Sequence, residues 1–105
     1  MKKYIVITAL FFAACGTALK LAVPAEADAT RAATKFPGTT LADLNKGKAA
    51  YEANCGKCHG LKDPAKYSEE KWRKVNPPMA KKAGVDAATE ELILKYVLTA
   101  GSAAK

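Results

Sequence analysis

Residues 53–60 read Ala53-Asn54-Cys55-Gly56-Lys57-Cys58-His59-Gly60, and this run holds two of the three cysteines and the only histidine of a 105-residue chain. A Cys-x-x-Cys pair with the single histidine directly behind it admits three chemistries: a zinc site, a dithiol redox centre, or covalently attached haem. A structural zinc ion takes four Cys or His ligands. Here the third cysteine, Cys15, lies far upstream at the end of an apolar leader, and adjacent residues such as Cys58 and His59 make poor joint zinc ligands. A thioredoxin-like dithiol sits in a βαβ setting, and no stretch of this chain reads as a strand. A plain Cys55–Cys58 disulfide would close a short loop, add little stability, and leave the histidine without a role.

The leader decides the compartment. Lys2 and Lys3 precede an apolar run from Tyr4 to Ala14, 11 residues long. That is too short to cross a bilayer as a helix, but it is the length of a secretory h-region. The run closes with Ala13 and Ala14 immediately before Cys15. This resembles the lipobox of bacterial lipoproteins, with Phe12 where Leu is usual, and it implies that Cys15 becomes the lipid-modified first residue of the mature chain. Cleavage after Ala27, in the small-x-small run Ala25–Ala27, and an uncleaved anchor are the competing readings. All of them place the remaining chain outside the cytoplasm. Loss of Lys2 and Lys3 from 17 basic residues leaves 15 against 10 acidic ones, so the net charge falls from +7 to +5. A smaller positive charge and an extracytoplasmic location both argue against nucleic acid as a partner.

Domain organisation follows from composition and periodicity. Residues 1–15 form the signal segment. Residues 16–39 are rich in Ala and Thr, with Pro24 and Pro37 and no sustained pattern, and are expected to be a flexible linker reaching roughly 25–30 Å. Residues 40–105 form the domain. Thr40 is placed to cap a helix whose Leu44, Gly47, Tyr51 and Cys55 fall on one face. Gly47 costs that helix about 1 kcal/mol relative to Ala, so its inward position predicts the close crossing of another helix. Ser68 is expected to cap a short helix carrying Trp72 and Val75 and stopped by Pro77-Pro78. One further turn would open at Asn76-Pro77 and close at Gly84. The strongest helical signal follows: Asp86 as cap, Glu90 and Glu91 near the start, Ile93, Tyr96, Val97 and Ala100 on one face, and Gly101 at the end. Leu92, Leu94 and Leu98 widen its apolar surface. The fold class is therefore all-α, three to four helices. Half of the residues are hydrophobic, but many are Ala and only eight are aromatic. So small a core often relies on a metal, disulfide or cofactor.

Outside the cytoplasm, Cys-x-x-Cys-His is the attachment sequence of c-type haem. Cys55 and Cys58, one helical turn apart, can each form a thioether with a vinyl group of the porphyrin, and His59 is then held beneath the iron. One cysteine for lipid and two for haem account for all three. On these residues the chain resembles the class I monohaem c-type cytochromes, of the small bacterial lipoprotein kind, over Leu41 to Gly101. The resemblance implies a cytochrome c-like domain around one covalent haem. It further implies that a glycine and an aromatic of the first helix pack against an aromatic of the last, positions matched by Gly47, Tyr51 and Tyr96.

The resemblance also implies a second iron ligand, usually a methionine in the loop before the last helix. Met79 is the only methionine after the leader, 20 positions beyond His59. Trp72, Val75 and Met79 equally have the spacing of a packing stripe, so the sixth position stands between Met79, an open site, and a lysine or tyrosine. By the same resemblance Pro64 supplies the carbonyl that accepts the second ring N–H of His59. Tyr67 and Trp72 would line the haem edge or bond a propionate, and Trp72 serves equally well as plain core. The expected function is one-electron transfer rather than enzyme catalysis, with no small-molecule substrate. Membrane attachment would run through the lipid. Lysines 46, 48, 57, 62, 66, 81 and 82 would steer acidic redox-protein partners. The alternatives are a haem enzyme or gas sensor with an open sixth position, and a haem-free lipoprotein with a structural disulfide.

Overall fold

Local side-chain chemistry sets where the helices begin. In the computed structural model, which describes residues 21–55 and 60–103, the elements are α1 (Glu26–Lys35), α2 (Leu41–Cys55), a 3-10 turn (Pro64–Lys66), α3 (Glu69–Ala83) and α4 (Ala87–Ala103). No strand occurs among the described residues. At the head of α2, Thr40 Oγ1 accepts from the Asp43 N–H at 3.2 Å while Asp43 Oδ2 accepts from the Thr40 N–H at 3.0 Å. The two groups satisfy each other reciprocally, as in a capping box. Ser68 Oγ accepts from the Lys71 N–H at 3.2 Å at the head of α3, and Asp86 Oδ1 accepts from the Thr89 N–H at 2.7 Å at the head of α4. α3 closes on Gly84, whose φ of 73° lies in the left-handed region. Its N–H reaches the Lys81 carbonyl at 3.2 Å, and the Val85 N–H reaches that of Ala80 at 3.1 Å.

α4 is the hub, packed against α1, α2, α3 and the Pro64–Lys66 turn, with its most extensive contact to α2. Tyr51, Tyr96, Leu44, Ile93 and Val97 are the largest fully buried side chains. The α2–α4 crossing occurs at Gly47, where a Cβ would stand 2.1 Å from the Leu92 carbonyl oxygen and 2.9 Å from Tyr96 Cβ. The close crossing expected from an inward glycine is therefore present. Beside it, the Tyr51 and Tyr96 rings lie 6.3 Å apart.

Three expectations are corrected. The segment 16–39 is not a linker throughout, because residues 26–35 form α1. Ala29 and Ala32 are buried against Leu44. Arg31 Nη1 donates to Ser102 Oγ at 2.8 Å and to the Thr99 carbonyl at 3.4 Å, and Lys35 pairs with Glu69. Ahead of α1, Leu21 is buried and Tyr96 Oη donates to the Ala22 carbonyl at 2.8 Å. Cleavage after Ala27 would thus cut into α1 and remove contacts of the core. Secondly, Pro77-Pro78 does not break the chain into two helices, since α3 runs through both. Both prolines are exposed, as are Arg73 and Lys74 four residues earlier. The carbonyls that lose helical donors thus belong to residues on the solvent side, which lowers the cost of the missing bonds. Thirdly, Gly101 does not end α4 but is buried within it. A Cβ there would lie 2.7 Å from the Pro64 carbonyl oxygen, so this glycine lets the turn press onto α4.

Candidate functional site

Cys55 is the last residue of α2, and Gly60 is the first described residue after it. Both line one cavity of about 110 Å³, whose other walls are Tyr51, Lys62, Tyr67, Trp72, Val75 and Met79. The helical repeat explains this set. Tyr51 and Cys55 lie one turn apart on α2, while Trp72, Val75 and Met79 fall at i, i+3 and i+7 on the inward side of α3. Cys58, His59 and Cys15 lie outside the described residues. The cavity wall thus includes Cys55, the first residue of the Cys-x-x-Cys-His run, and Gly60, the residue that follows the run in the chain.

Trp72 is 2% exposed, and its Nε1–H donates to the Pro64 carbonyl at 2.8 Å. That donor is committed to the backbone, so the expected bond to a propionate is not available to Trp72. The indole meets Tyr51 edge-on at 6.0 Å and Tyr67 at 5.0 Å. Trp72 is therefore at once core and cavity wall. The Pro64 carbonyl, expected to receive a donor from His59, instead accepts from the indole and is pressed against Gly101. Tyr67 is half-buried at the rim, with the Lys71 ammonium 5.8 Å from its ring centre.

Burial pushes the half-buried Cys55 thiol up from its ordinary pKa, which keeps it neutral in these surroundings. Burial likewise pushes Tyr51 up to about 12, against the lowering effect of its backbone hydrogen bond at Lys62. Tyr51 Oη donates to the Lys62 carbonyl at 2.5 Å and accepts from the Lys62 N–H at 3.0 Å. Sequence reading placed Tyr51 on the packed face but missed this partner, which depends on a chain reversal that no local pattern announces. Met79 is half-buried on α3, not in a loop as the family resemblance implied.

The residues present fit a haem by their chemistry. A neutral thiol, a soft thioether and aromatic walls suit an apolar macrocycle with a soft iron ligand. Among the described residues there is no cluster of three His, Cys, Asp or Glu side chains. The described walls enclose less than the roughly 300–1,000 Å³ of typical cofactor pockets. Of these walls Tyr51 and Trp72 are buried, while Cys55, Lys62, Tyr67, Val75 and Met79 are half-buried. A larger cavity of about 290 Å³ lies between α1 and α4, bordered by Arg31, Lys35, Thr99 and Ser102. Its cations are already paired with Asp28 and Glu69, and Cys55 is not among its walls. Exposed Lys66 and Lys71 lie near the rim of the smaller cavity, and exposed Lys81 and Lys82 follow Met79 on α3. The chain matches no family model, no curated protein and no solved structure in comparisons with each.

Proposed function

We propose that the chain is a monohaem c-type cytochrome, a one-electron carrier working outside the cytoplasm and held to a membrane by lipid on Cys15. One observation carries this reading: Cys55, which opens the Cys-x-x-Cys-His run, and Gly60, which follows it in the chain, line one apolar cavity together with Met79. The crossing of α2 and α4 at Gly47 beside Tyr51 and Tyr96 supports it further, because that arrangement is the one the family resemblance implies.

A haem bound here would supply an iron centre that gains and loses one electron. The chain's own residues do the rest. Cys55 and Cys58 hold the group covalently, and His59 provides the imidazole ligand. Trp72, Val75, Tyr67 and Tyr51 exclude water, which favours the less charged state and tunes the potential. Met79 presents its thioether from α3, and the lysines around the rim attract an acidic partner.

The placement of Met79 on a helix, in a stripe with Trp72 and Val75, favours one second reading. The thioether would then remain packing, and the sixth position would be open, as in a ligand-binding haem protein. Co-expression with haem-attachment machinery followed by mass and optical spectrometry tests both. One covalent haem with a low-spin ferric spectrum that Met79→Ala converts to high-spin is the expected result. A high-spin spectrum in the unaltered protein selects the second reading, and a mass without haem removes both.

A further inference from the structure

Resting on the haem reading above, we propose that Tyr51 is a positioning residue whose hydroxyl clasps the haem-attachment segment to α2. Tyr51 lies on α2, and its hydroxyl uses both its donor and its acceptor capacity on one residue's backbone, the carbonyl and N–H of Lys62. The chain between them, residues 52–61, is thereby closed into a loop that contains Cys55, Cys58 and His59. The fixed end of the clasp is rigid: the Tyr51 ring is 2% exposed and packed between Trp72 and Tyr96.

The far end is anchored just as firmly. Asp63 Oδ1 accepts from the Ala65 N–H at 2.9 Å, Trp72 holds the Pro64 carbonyl, and Gly101 allows α4 to lie against that carbonyl. The three residues 62–64 therefore touch three helices: α2 through Tyr51, α3 through Trp72 and α4 through Gly101. Tyr51 is the link to the helix that bears Cys55. His59 precedes Lys62 by three residues, so fixing Lys62 leaves only a short run of chain between a held residue and the imidazole. Packing alone does not need the hydroxyl, since phenylalanine would fill the same space. What phenylalanine cannot do is satisfy the Lys62 backbone.

The test is Tyr51→Phe in the full chain, made with haem-attachment machinery, beside Ile93→Val as a control that loosens the core away from the segment. Amide exchange at Lys62 should accelerate roughly tenfold in Tyr51→Phe, the order expected for lost hydrogen bonds of this kind, while α2 and α4 amides change little. On acidification, loss of the low-spin spectrum should begin at higher pH in Tyr51→Phe than in Ile93→Val at matched thermal stability, because a loosened imidazole competes less well with protons. The proposal is overturned if Lys62 exchange is unaltered, or if the two variants lose the low-spin spectrum at the same pH. A purified chain without covalent haem overturns the haem reading and the positioning role with it. In that case Lys62 exchange still reports separately whether the clasp exists.

Discussion

At the scale of single residues, Gly47 and Asp86 show two ways in which one side chain, or its absence, governs this protein. Gly47 lies where α2 and α4 touch, and a methyl group there would meet the backbone oxygen of Leu92 at 2.1 Å. The backbone cannot swing aside as a side chain can, so the helices must separate. Alanine's better helix propensity, about 1 kcal/mol, is outweighed by overpacking of about 1–3 kcal/mol or more. Gly47→Ala is therefore expected to lower Tm in a circular dichroism melt, and an unchanged or raised Tm would show that the crossing is looser than described. Asp86 acts through charge and hydrogen bonding. Its carboxylate is held below the ordinary value of 3.8, first by the Thr89 side-chain hydrogen bond and then by the Thr89 N–H. A folded-state pKa below the unfolded one contributes stability above the unfolded value, and this is lost as pH falls through the folded value. Asn caps about as well as Asp but does not titrate. Asp86→Asn should thus keep most of the stability at pH 7 and flatten the fall in Tm between about pH 5 and pH 3.

At the scale of elements, α1 and α3 carry the lesson that a helix is defined by what it packs on. α1 has a face made only of small residues, Ala29 and Ala32, and is stapled to α4 by Arg31 and to α3 by Lys35. With Leu21 and Phe36, also packed on the core, this segment belongs to the folded unit. A chain beginning at Thr40 should therefore lose roughly 2–4 kcal/mol of apolar burial, a fall in Tm on the order of 10–20 °C. Equal melting of the two chains would restore the linker interpretation. α3 passes through two prolines with their ring faces toward solvent and keeps Trp72, Asn76 and Ala80 buried. Asn76 Nδ2 donates to the Glu90 carbonyl at 3.2 Å, which ties the middle of α3 to α4 next to the prolines. Held in this way, α3 carries Met79 onto the same face as Trp72.

At the scale of the whole molecule, the ordered N-terminal segment changes how an anchored domain would be held. Six residue steps separate Cys15 from buried Leu21, a span of at most about 20 Å in any conformation. A lipid on Cys15 would hold the domain close to its membrane rather than let it range on a long tether. Docking then depends on the charge that the domain presents. Lys66, Lys71, Lys81 and Lys82 are exposed, so oxidation of the haem-loaded protein by an anionic reagent such as ferricyanide should slow several-fold from ~0.01 M to ~0.5 M salt. Lys81→Glu with Lys82→Glu should weaken that dependence, and a rate indifferent to salt in the unaltered protein would place electron exchange elsewhere on the surface.

How much of this was legible beforehand divides along one physical line. Thr40, Ser68 and Asp86 act within three residues of themselves, so the helix starts they cap could be read directly, as could the inward glycine at position 47. The Cys55–His59 run is equally local, and the sequence alone determines that these groups stand next to one another. The helical state of residues 26–35, the continuity of α3 across Pro77-Pro78, the burial of Gly101 and the Tyr51–Lys62 clasp were not legible. Each is held by groups far along the chain: Thr99 and Ser102 for Arg31, Glu90 for Asn76, Pro64 for Gly101. Alanine is silent in a hydrophobic pattern, and a proline's cost depends on whether its helix faces water. Those outcomes were decided only when α4 brought the distant partners together, because their energies come from contacts that do not exist until the chain has folded.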